Sequence, residues 1–421
     1  MKFMIWLETI KLRLVMGLML WCTAHFLHAG SIRVGPEQGI TSISGATQKA
    51  LCGDTIWIES GLYKEGNIVL DKSLTLMGMG NPVLDGEKKY EILTVGADDV
   101  SIVGLTFINS GYSAMNDFAS IKIVGSRYFK IESCTIRNSY FGIHVSNCSY
   151  GKIWNCSVEG TPDQEQNTGN AIHFWKCDHM EVFNNLSSGH RDGIYLEFVT
   201  DSRIQKNTST KNIRYGLHFM FSHQNSYQHN RFLKNGAGVA VMYSHQVDMI
   251  QNEFQDNWGP SSFGILLKDI TDSRIIHNKF IRNSAGVFME GSNRCVIDSN
   301  LFQENGWALR VQASCTDNQI AYNNFMGNTF DVACNGTLVL SKFNSNYWDR
   351  YKGYDLNKDQ FGDIPYNPVS LYSVLVEQNS AFLILLRSAL TVILDEVEKA
   401  IPVLTPIDLQ DLSPVLTPYP L

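Results

Sequence analysis

The sequence predicts an all-β fold, a right-handed parallel β-helix of about eleven rungs of 22–23 residues, with an N-terminal cap and a C-terminal helical docking arm. Three observations lead there. The 421-residue chain is 44% hydrophobic but only 18% charged, where about 25% charged residues is usual. Its 33 asparagines are concentrated, 28 of them between residues 101 and 350, beside 33 glycines in the whole chain. Gly and Asn tolerate left-handed backbone, so this excess describes a chain that turns often and regularly, which excludes a helical bundle, a coiled coil or a disordered chain. Third, an internal repeat overrides the two or three domains that length alone would suggest.

Residues 1–29 read as a secretory signal: Lys2, Lys11 and Arg13 precede an apolar run from Leu14 to Leu20 and on to Phe26, with small Ala29 at the cleavage point. A retained anchor helix is the alternative, disfavoured because the run is short for a membrane span. Trp21 is too large for the residue before a lipidated cysteine, which argues against Cys22 as an attachment site. Without the signal the charge falls from −7 to −9, since 34 bases lose three and 41 acids lose one. So acidic a chain is not built for nucleic acid. Residues 30–101 hold the cap and first coils: a strand, a short amphipathic helix around residues 43–51, then Gly53-Asp54-Thr55-Ile56-Trp57-Ile58 as the next strand.

Residues 102–348 are the repeat. Ile102, Ile131, Ile153, Val182, Ile204, Tyr227, Met249, Ile275, Ile297, Ile320 and Phe343 recur at 22 or 23 residues in most steps, and at 26 or 29 in three. Three positions after each stands Leu105, Cys134, Cys156, and then eight asparagines in register: Asn185, Asn207, Asn230, Asn252, Asn278, Asn300, Asn323 and Asn346. A second column runs through Asn212, Asn235, Asn257, Asn283, Asn305 and Asn328, with Phe232, Phe254, Phe280, Phe302 and Phe325 between the two. Stacked rungs place equivalent residues about 4.8 Å apart, so each amide reaches the next in a ladder. Eleven rungs make a rod roughly 50 Å long. Leucine-rich repeats share the period but need a Leu framework absent here. The longer spacings mark insertions, so loops at 108–118, 159–170 and 257–263 should bulge from the rod; Pro162 and Pro260 fall in two of them. Residues 349–380 read as a polar loop and linker, and 381–421 as an amphipathic helix (381–401) followed by a Pro-rich tail with Val-Leu-Thr-Pro at 403–406 and 415–418. The helix is too short to span a bilayer and is broken by Arg387, so it either docks a partner through Leu383, Leu386, Leu390, Ile393 and Leu394 or folds back as a cap.

One strand per rung begins near Gly142, Gly193, Gly216, Gly238, Gly264 or Gly286. Period-two alternation turns its first and third following residues inward and its second and fourth outward. The outward columns gather His144, His173 and His218 with Met220 and Met242, and His223 and His245 stack at the strand ends. Imidazole with thioether suits copper, Cu(I) in particular, which makes His173, His218, Met220, Met242, His223 and His245 the candidate ligands; the alternative is a solvated face that merely tolerates them. Cys134 and Cys156 read as small buried filler, and Cys148 and Cys177, placed in an outer column, as a disulfide or a metal thiolate. Asp355, Asn357 and Asp359 alternate as in a calcium loop, although Gln360 stands where such loops want glycine and Tyr366 where they want Glu. His190, Arg191, Asp192 and Arg214 supply a base, an acid and cations on adjacent turns, the ingredients of a secreted lyase or epimerase acting on uronate polymers. An Arg-Asp pair that merely fixes a tight turn explains them equally.

Three consecutive rungs, Gly189-His-Arg-Asp-Gly-Ile-Tyr-Leu-Glu-Phe-Val199, Arg214-Tyr-Gly-Leu-His-Phe-Met-Phe-Ser-His223 and Gly236-Ala-Gly-Val-Ala-Val-Met-Tyr-Ser244, together with the stretch from Pro368 to Pro406, resemble the NosD family of nitrous oxide reductase maturation proteins. The resemblance covers nearly all of residues 31–421. It implies a periplasmic, non-catalytic protein that works with an ABC transporter, an ATPase plus an inner-membrane permease, to deliver copper to apo nitrous oxide reductase. A copper-donor lipoprotein would stand upstream. It also implies that the C-terminal helix docks on the permease. The resemblance names no copper ligand.

Overall fold

The computed structural model describes residues 30–420 except 114, 162–164, 337–339, 387 and 402–408. The expected signal, Cys22, Arg387, Pro162 and the first Val-Leu-Thr-Pro therefore lie outside the described residues. The chain winds into a parallel β-solenoid of three sheets with fourteen, thirteen and twelve strands, about thirteen turns. In each sheet a strand pairs in parallel with its equivalent one turn later, as Leu217 with Val239 or Phe280 with Phe302. The first sheet begins at Ser31–Val34, the second at Leu62–Tyr63 and the third at Ile68–Leu70. Eleven aligned positions account for the first sheet from Ile102 onward. Its three earlier strands, carrying Ile32, Ile56 and Leu76, explain why the rod has more turns than eleven.

Each turn buries its alternating Ile, Val, Leu and Phe in one continuous core. The corner between the first two sheets is made by a single residue with positive φ followed by the ladder asparagine, for instance Lys206 (56°), His229 (55°), Gln251 (54°) and Tyr322 (58°). A left-handed conformation costs an ordinary residue about 1 kcal/mol, and the ladder offsets it. Asn252 shows how. Its Oδ1 accepts from Asn230 N (2.9 Å) and Asn230 Nδ2 (3.0 Å), while its Nδ2 donates to Tyr227 O (2.9 Å) and Asn278 Oδ1 (3.1 Å). The second ladder repeats the scheme, Asn283 bonding Asn305 and Asn305 bonding Asn328. Between them the rings of Phe254, Phe280, Phe302, Phe325 and Trp348 stack with centroids 4.1–4.9 Å apart. The glycine column has a steric cause: a Cβ at Gly216 would come within 2.7 Å of Gly238 O, in the next turn.

The ends are closed differently from one another. At the N-terminal end α1 (Ile43–Lys49), capped by Ser42, buries Ile43 and Ala46 over the first turn. At the C-terminal end the segment read as a linker contains a second helix, α2 (Leu371–Gln378), capped by Ser370. Tyr372 and Val376 of α2 pack on Phe330 of the last third-sheet strand, and Glu377 receives Arg310 Nη2 at 2.6 and 2.9 Å. The single helix expected over 381–401 is two elements, a 3-10 turn at Ser380–Leu385 and α3 (Ala389–Ala400). Leu385 and Leu394 both pack on the Phe330–Tyr372–Val376 cluster. Nine residues apart on one straight helix they would face opposite ways, because nine steps of about 100° make two and a half turns; the break resolves this.

The tail also departs from the expectation of a free arm. Asp411, fully buried, occupies the place after Asn346 in the first ladder. Its carboxylate accepts from Ser345 N (3.0 Å), Asn346 N (3.0 Å), Asn346 Nδ2 (2.9 Å) and Trp348 Nε1 (3.0 Å). A carboxylate only accepts, so it terminates a ladder whose last member still has donors to satisfy. Tyr419 adds two backbone bonds to the Asn324 side chain and one from its hydroxyl to Ser345 O. Residues 409–420 thus seal the rod.

Candidate functional site

The six predicted copper ligands fall into two groups. Met220 and Met242 are partners in register on adjacent strands, Tyr215–Met220 and Ala237–Met242, and both are half-buried. Three residues on, at the corner, His223 and His245 stack with ring centroids 4.0 Å apart and planes 10° from parallel. His223 Nδ1 accepts His245 N at 3.3 Å, which leaves its Nε2 toward the surface. Exposed Phe221 and Tyr243, stacked at 5.0 Å, flank this corner. A pair of thioethers at the strand ends and a pair of imidazoles three residues further on thus come from the same two successive rungs.

His173 and His218 form the other group, and here the expectation of an open face is corrected. Both do point away from the core, but they are buried, as is His144. The insertions do not simply bulge; they fold over this face. Asp117 from the first comes within 3.8 Å of His144 Nε2, Asn170 from the second within 3.5 Å of His173 Nδ1, and Glu165 within 3.5 Å of Arg214. Beneath this cover run His144, His173, Tyr195 and His218, ring to ring at 4.7, 4.7 and 4.8 Å. Tyr195 separates His173 from His218, so the two imidazoles sit two rungs apart and share no metal. Among the described residues no three His, Cys, Asp or Glu side chains converge as a metal cage.

Asp192 is the centre of the covered cluster. It has no exposed surface, its Oδ1 accepts Tyr215 N at 3.2 Å, and its Oδ2 lies 3.5 Å from His218 Nδ1 and 3.9 Å from Arg191 Nε. Arg214 Nε stands 3.7 Å from Oδ1. None of these ion-pair distances is a hydrogen bond. Nine side-chain atoms here are buried without a hydrogen-bond partner: His144 Nδ1, Asn170 Oδ1, His173 Nε2, both His190 nitrogens, Arg191 Nε, Asp192 Oδ2 and both His218 nitrogens. Each such atom costs about 1–3 kcal/mol. Burial also pushes the imidazoles down, to about 4 for His144 and His190 and well below the usual range for His173. His190 is fully buried, which removes it as a base for a bound substrate.

The remaining candidates resolve locally. Cys148 and Cys177 are interior rather than outward, and the former accepts Ser126 N at 3.3 Å in a turn ladder that Ser222 and Ser244 continue. They and the buried Cys134 and Cys156 are free thiols. In the loop read as a calcium site, Asp355 accepts Asp359 N and Gln360 N, Asn357 accepts Asp359 N, and Asp359 accepts Phe361 N. Those oxygens close the loop on itself. Of the predicted docking residues, Leu383, Leu386, Leu390 and Ile393 are exposed, with Ile384, Val392 and Val397 beside them, whereas Leu394 is taken up in the α2 contact. The loop residues Asp117, Glu165 and Asn170 have no signature in the repeat, because alternation within a strand does not say what an insertion will cover.

The family model for periplasmic copper-binding protein (NosD) matches residues 154–362, the rungs that carry both groups. A probable ABC transporter binding protein NosD from Pseudomonas aeruginosa is 27% identical over 417 residues, spanning 92% of this chain and 96% of that one. The chain belongs to the NosD family. A second NosD of the same description, from Stutzerimonas stutzeri, is 26% identical over 93% of this chain and 92% of its own length. Among solved structures, a GH87 α-1,3-glucanase catalytic unit from Streptomyces thermodiastaticus aligns with a TM-score of 0.60 at 13% identity, covering 72% of this chain and 65% of that one. The Streptococcus pneumoniae surface adhesin PfbA aligns at 0.50 and 12%, covering 77% and 92%. At such identities these two share the solenoid with this NosD-family chain and nothing more. No described helix is long and apolar enough to cross a membrane.

Proposed function

We propose that this protein is a periplasmic, non-catalytic accessory factor that docks on the permease of an ABC transporter and passes copper toward apo nitrous oxide reductase, receiving it from a donor lipoprotein. The NosD match over residues 154–362 and the relatives' description as ABC transporter binding proteins support the setting. The observation that carries the copper step is the register pair Met220 and Met242 beside stacked His223 and His245. Soft thioether with imidazole at an accessible edge holds Cu(I) without enclosing it, as a transient carrier requires. His173 and His218 lie under cover, apart from this corner. The exposed apolar side formed by Leu383, Leu386, Leu390 and Ile393, anchored to the rod through α2, is the docking surface.

Two measurements test this reading. Deleting the gene in its own host should leave nitrous oxide reductase short of copper by elemental analysis; fully loaded enzyme overturns the maturation role. Anaerobic Cu(I) titration against a competing chelator should show at least tenfold weaker binding for Met220→Leu/Met242→Leu, and unchanged binding removes the corner as the site.

A further inference from the structure

The covered cluster is left over when copper is assigned to the corner, and its chemistry is different. Arg191 and Arg214 come from adjacent rungs and each is about one third exposed, at 31% and 32%. Their shared partner, Asp192, stands at 3.9 and 3.7 Å, too far to occupy either guanidinium fork, and Arg191 Nε is buried with no acceptor. Just below lie Asp192 Oδ2, an acceptor with no donor, and His173 Nε2 and His218 Nε2, each without a partner. Tyr195 and Tyr215, half-buried, both pack on the His218 ring, and the Arg214 guanidinium lies 4.9 Å over the Tyr215 ring.

This inventory asks for one molecule with a carboxylate for the two guanidiniums, a carbon ring for the tyrosines, and hydroxyls that reach the buried Asp192 and imidazoles once the Glu165 segment covering them is displaced. Arg recognises carboxylate through its planar fork. The protein already holds a carboxylate loosely in that place, because Glu165, on the short 3-10 turn Glu165–Asn167, sits 3.5 Å from Arg214 Nη1 while remaining largely exposed. We infer that Arg191 and Arg214, with Tyr195 and Tyr215 beside them and Asp192 beneath, form a binding site for a uronate saccharide, whose carboxylate displaces Glu165. The site is independent of the copper corner and of the docking face, and binding there involves no bond made or broken.

The test uses the folded protein from residue 30 onward and an α-1,4-linked galacturonate trimer, with cellotriose as the neutral control, read by calorimetry. The trimer should bind saturably and cellotriose should not. Arg191→Ala/Arg214→Ala should lose at least tenfold in affinity with the circular dichroism spectrum unchanged. Glu165→Ala should bind more tightly, because the internal competitor is gone, an effect that a merely structural residue would not produce. No binding of the trimer, equal binding of cellotriose, or an Arg191→Ala/Arg214→Ala protein that binds as before would each overturn the site. Copper uptake by the same preparations separates this result from the corner, since the double Arg variant should still bind Cu(I).

Discussion

Asp411→Asn is an isosteric change that should nevertheless loosen residues 409–420 on the rod. Oδ2 accepts from Asn346 N, Asn346 Nδ2 and Trp348 Nε1, and Oδ1 from Ser345 N and Ser413 N. An asparagine has one acceptor oxygen and one amino group. Whichever way it turns, its amino group meets at least two N–H donors, and all of these are buried except Ser413 N, which is half-buried and lies within the tail itself. A hydrogen bond to a charged group contributes about 1.5–3 kcal/mol, and a stranded donor costs about 1–3 kcal/mol. Losing two such bonds therefore costs at least about 3 kcal/mol, and losing three roughly 5. Against this the tail keeps buried Leu409 and Val415, at about 1.5–3 kcal/mol each before ordering entropy is subtracted. The tail also keeps its Tyr419 bonds to Asn324 and Ser345, so the loss shifts it toward the released state without removing every anchor, roughly a hundredfold for about 3 kcal/mol. Hydrogen exchange by mass spectrometry should show residues 409–420 and the amides of Ser345 and Asn346 losing protection, with the rod from Ser31 to Met326 unchanged. Wild-type protection of the tail in Asp411→Asn would refute the assignment of Asp411 as the ladder's terminal acceptor.

Three further outcomes are expected. Asn252→Ala removes four ladder bonds, leaving Asn230 N without its acceptor, Asn230 Nδ2 with Ile204 O alone and Tyr227 O without its side-chain donor, so urea denaturation should show a loss of about 4 kcal/mol; a loss under 1 kcal/mol would contradict the ladder's role. His144 and His190 are held down to about 4 by burial, so the unfolded chain binds protons before the folded one does. Their stability contribution is complete above the unfolded value near 6.5 and is lost as pH falls toward 4, about 3 kcal/mol for each imidazole; denaturation midpoints at pH 7 and pH 4.5 measure it, and a flat profile would count against neutral buried imidazoles. Asp331, buried with Oδ1 unpaired, is pushed up by burial to about 7. Here the folded state keeps the proton that the unfolded state gives up, so stability falls as pH rises from about 4 through 7, and Asp331→Asn should be more stable than wild type at pH 8 by up to about 4 kcal/mol but not at pH 4.

The repeat made the scaffold legible because each rung copies the same physical problem. Asn185 to Asn346 fill one ladder, Phe254 to Phe325 one stack, and the glycines stand where the next turn's carbonyl leaves no space, so spacing alone assigned strand, corner and interior. What did not repeat was not legible. The left-handed corner residues are Lys206, His229, Gln251 and Tyr322, which share no sequence signal because the ladder imposes their conformation. Asp411 ends a ladder of asparagines from 65 residues away, in a segment that reads as a proline-rich tail. The break between Leu385 and Leu394 was not legible either, since only their common contact with the Phe330 cluster, which one straight helix cannot make, requires it.

The candidate site divides along the same line. Strand alternation correctly put His173, His218, Met220 and Met242 on the outer side of one sheet, but accessibility on that side depends on what precedes each rung. His173 directly follows the insertion at 159–170 and His144 lies one rung beyond the insertion at 108–118, and Asp117, Glu165 and Asn170 come from those insertions to lie against His144, Arg214 and His173. The rungs of Met220 and Met242 follow turns of ordinary length, with Lys211 to Arg214 before one and Lys234 to Gly236 before the other, and the thioethers at the strand ends are half-buried while His218, two residues before Met220, is buried. A single column thus carries two environments. At one end neutral imidazoles and a buried carboxylate are desolvated beside two guanidiniums, which suits a ligand that brings its own hydroxyls and charge. At the other lie the half-buried thioethers and stacked imidazoles to which the proposed copper step is assigned. Exchanging the loop at 159–170 for a turn of rung length should therefore uncover His173 without altering strand register, because register is set by the Asn and Phe columns on the other two sides of the rod.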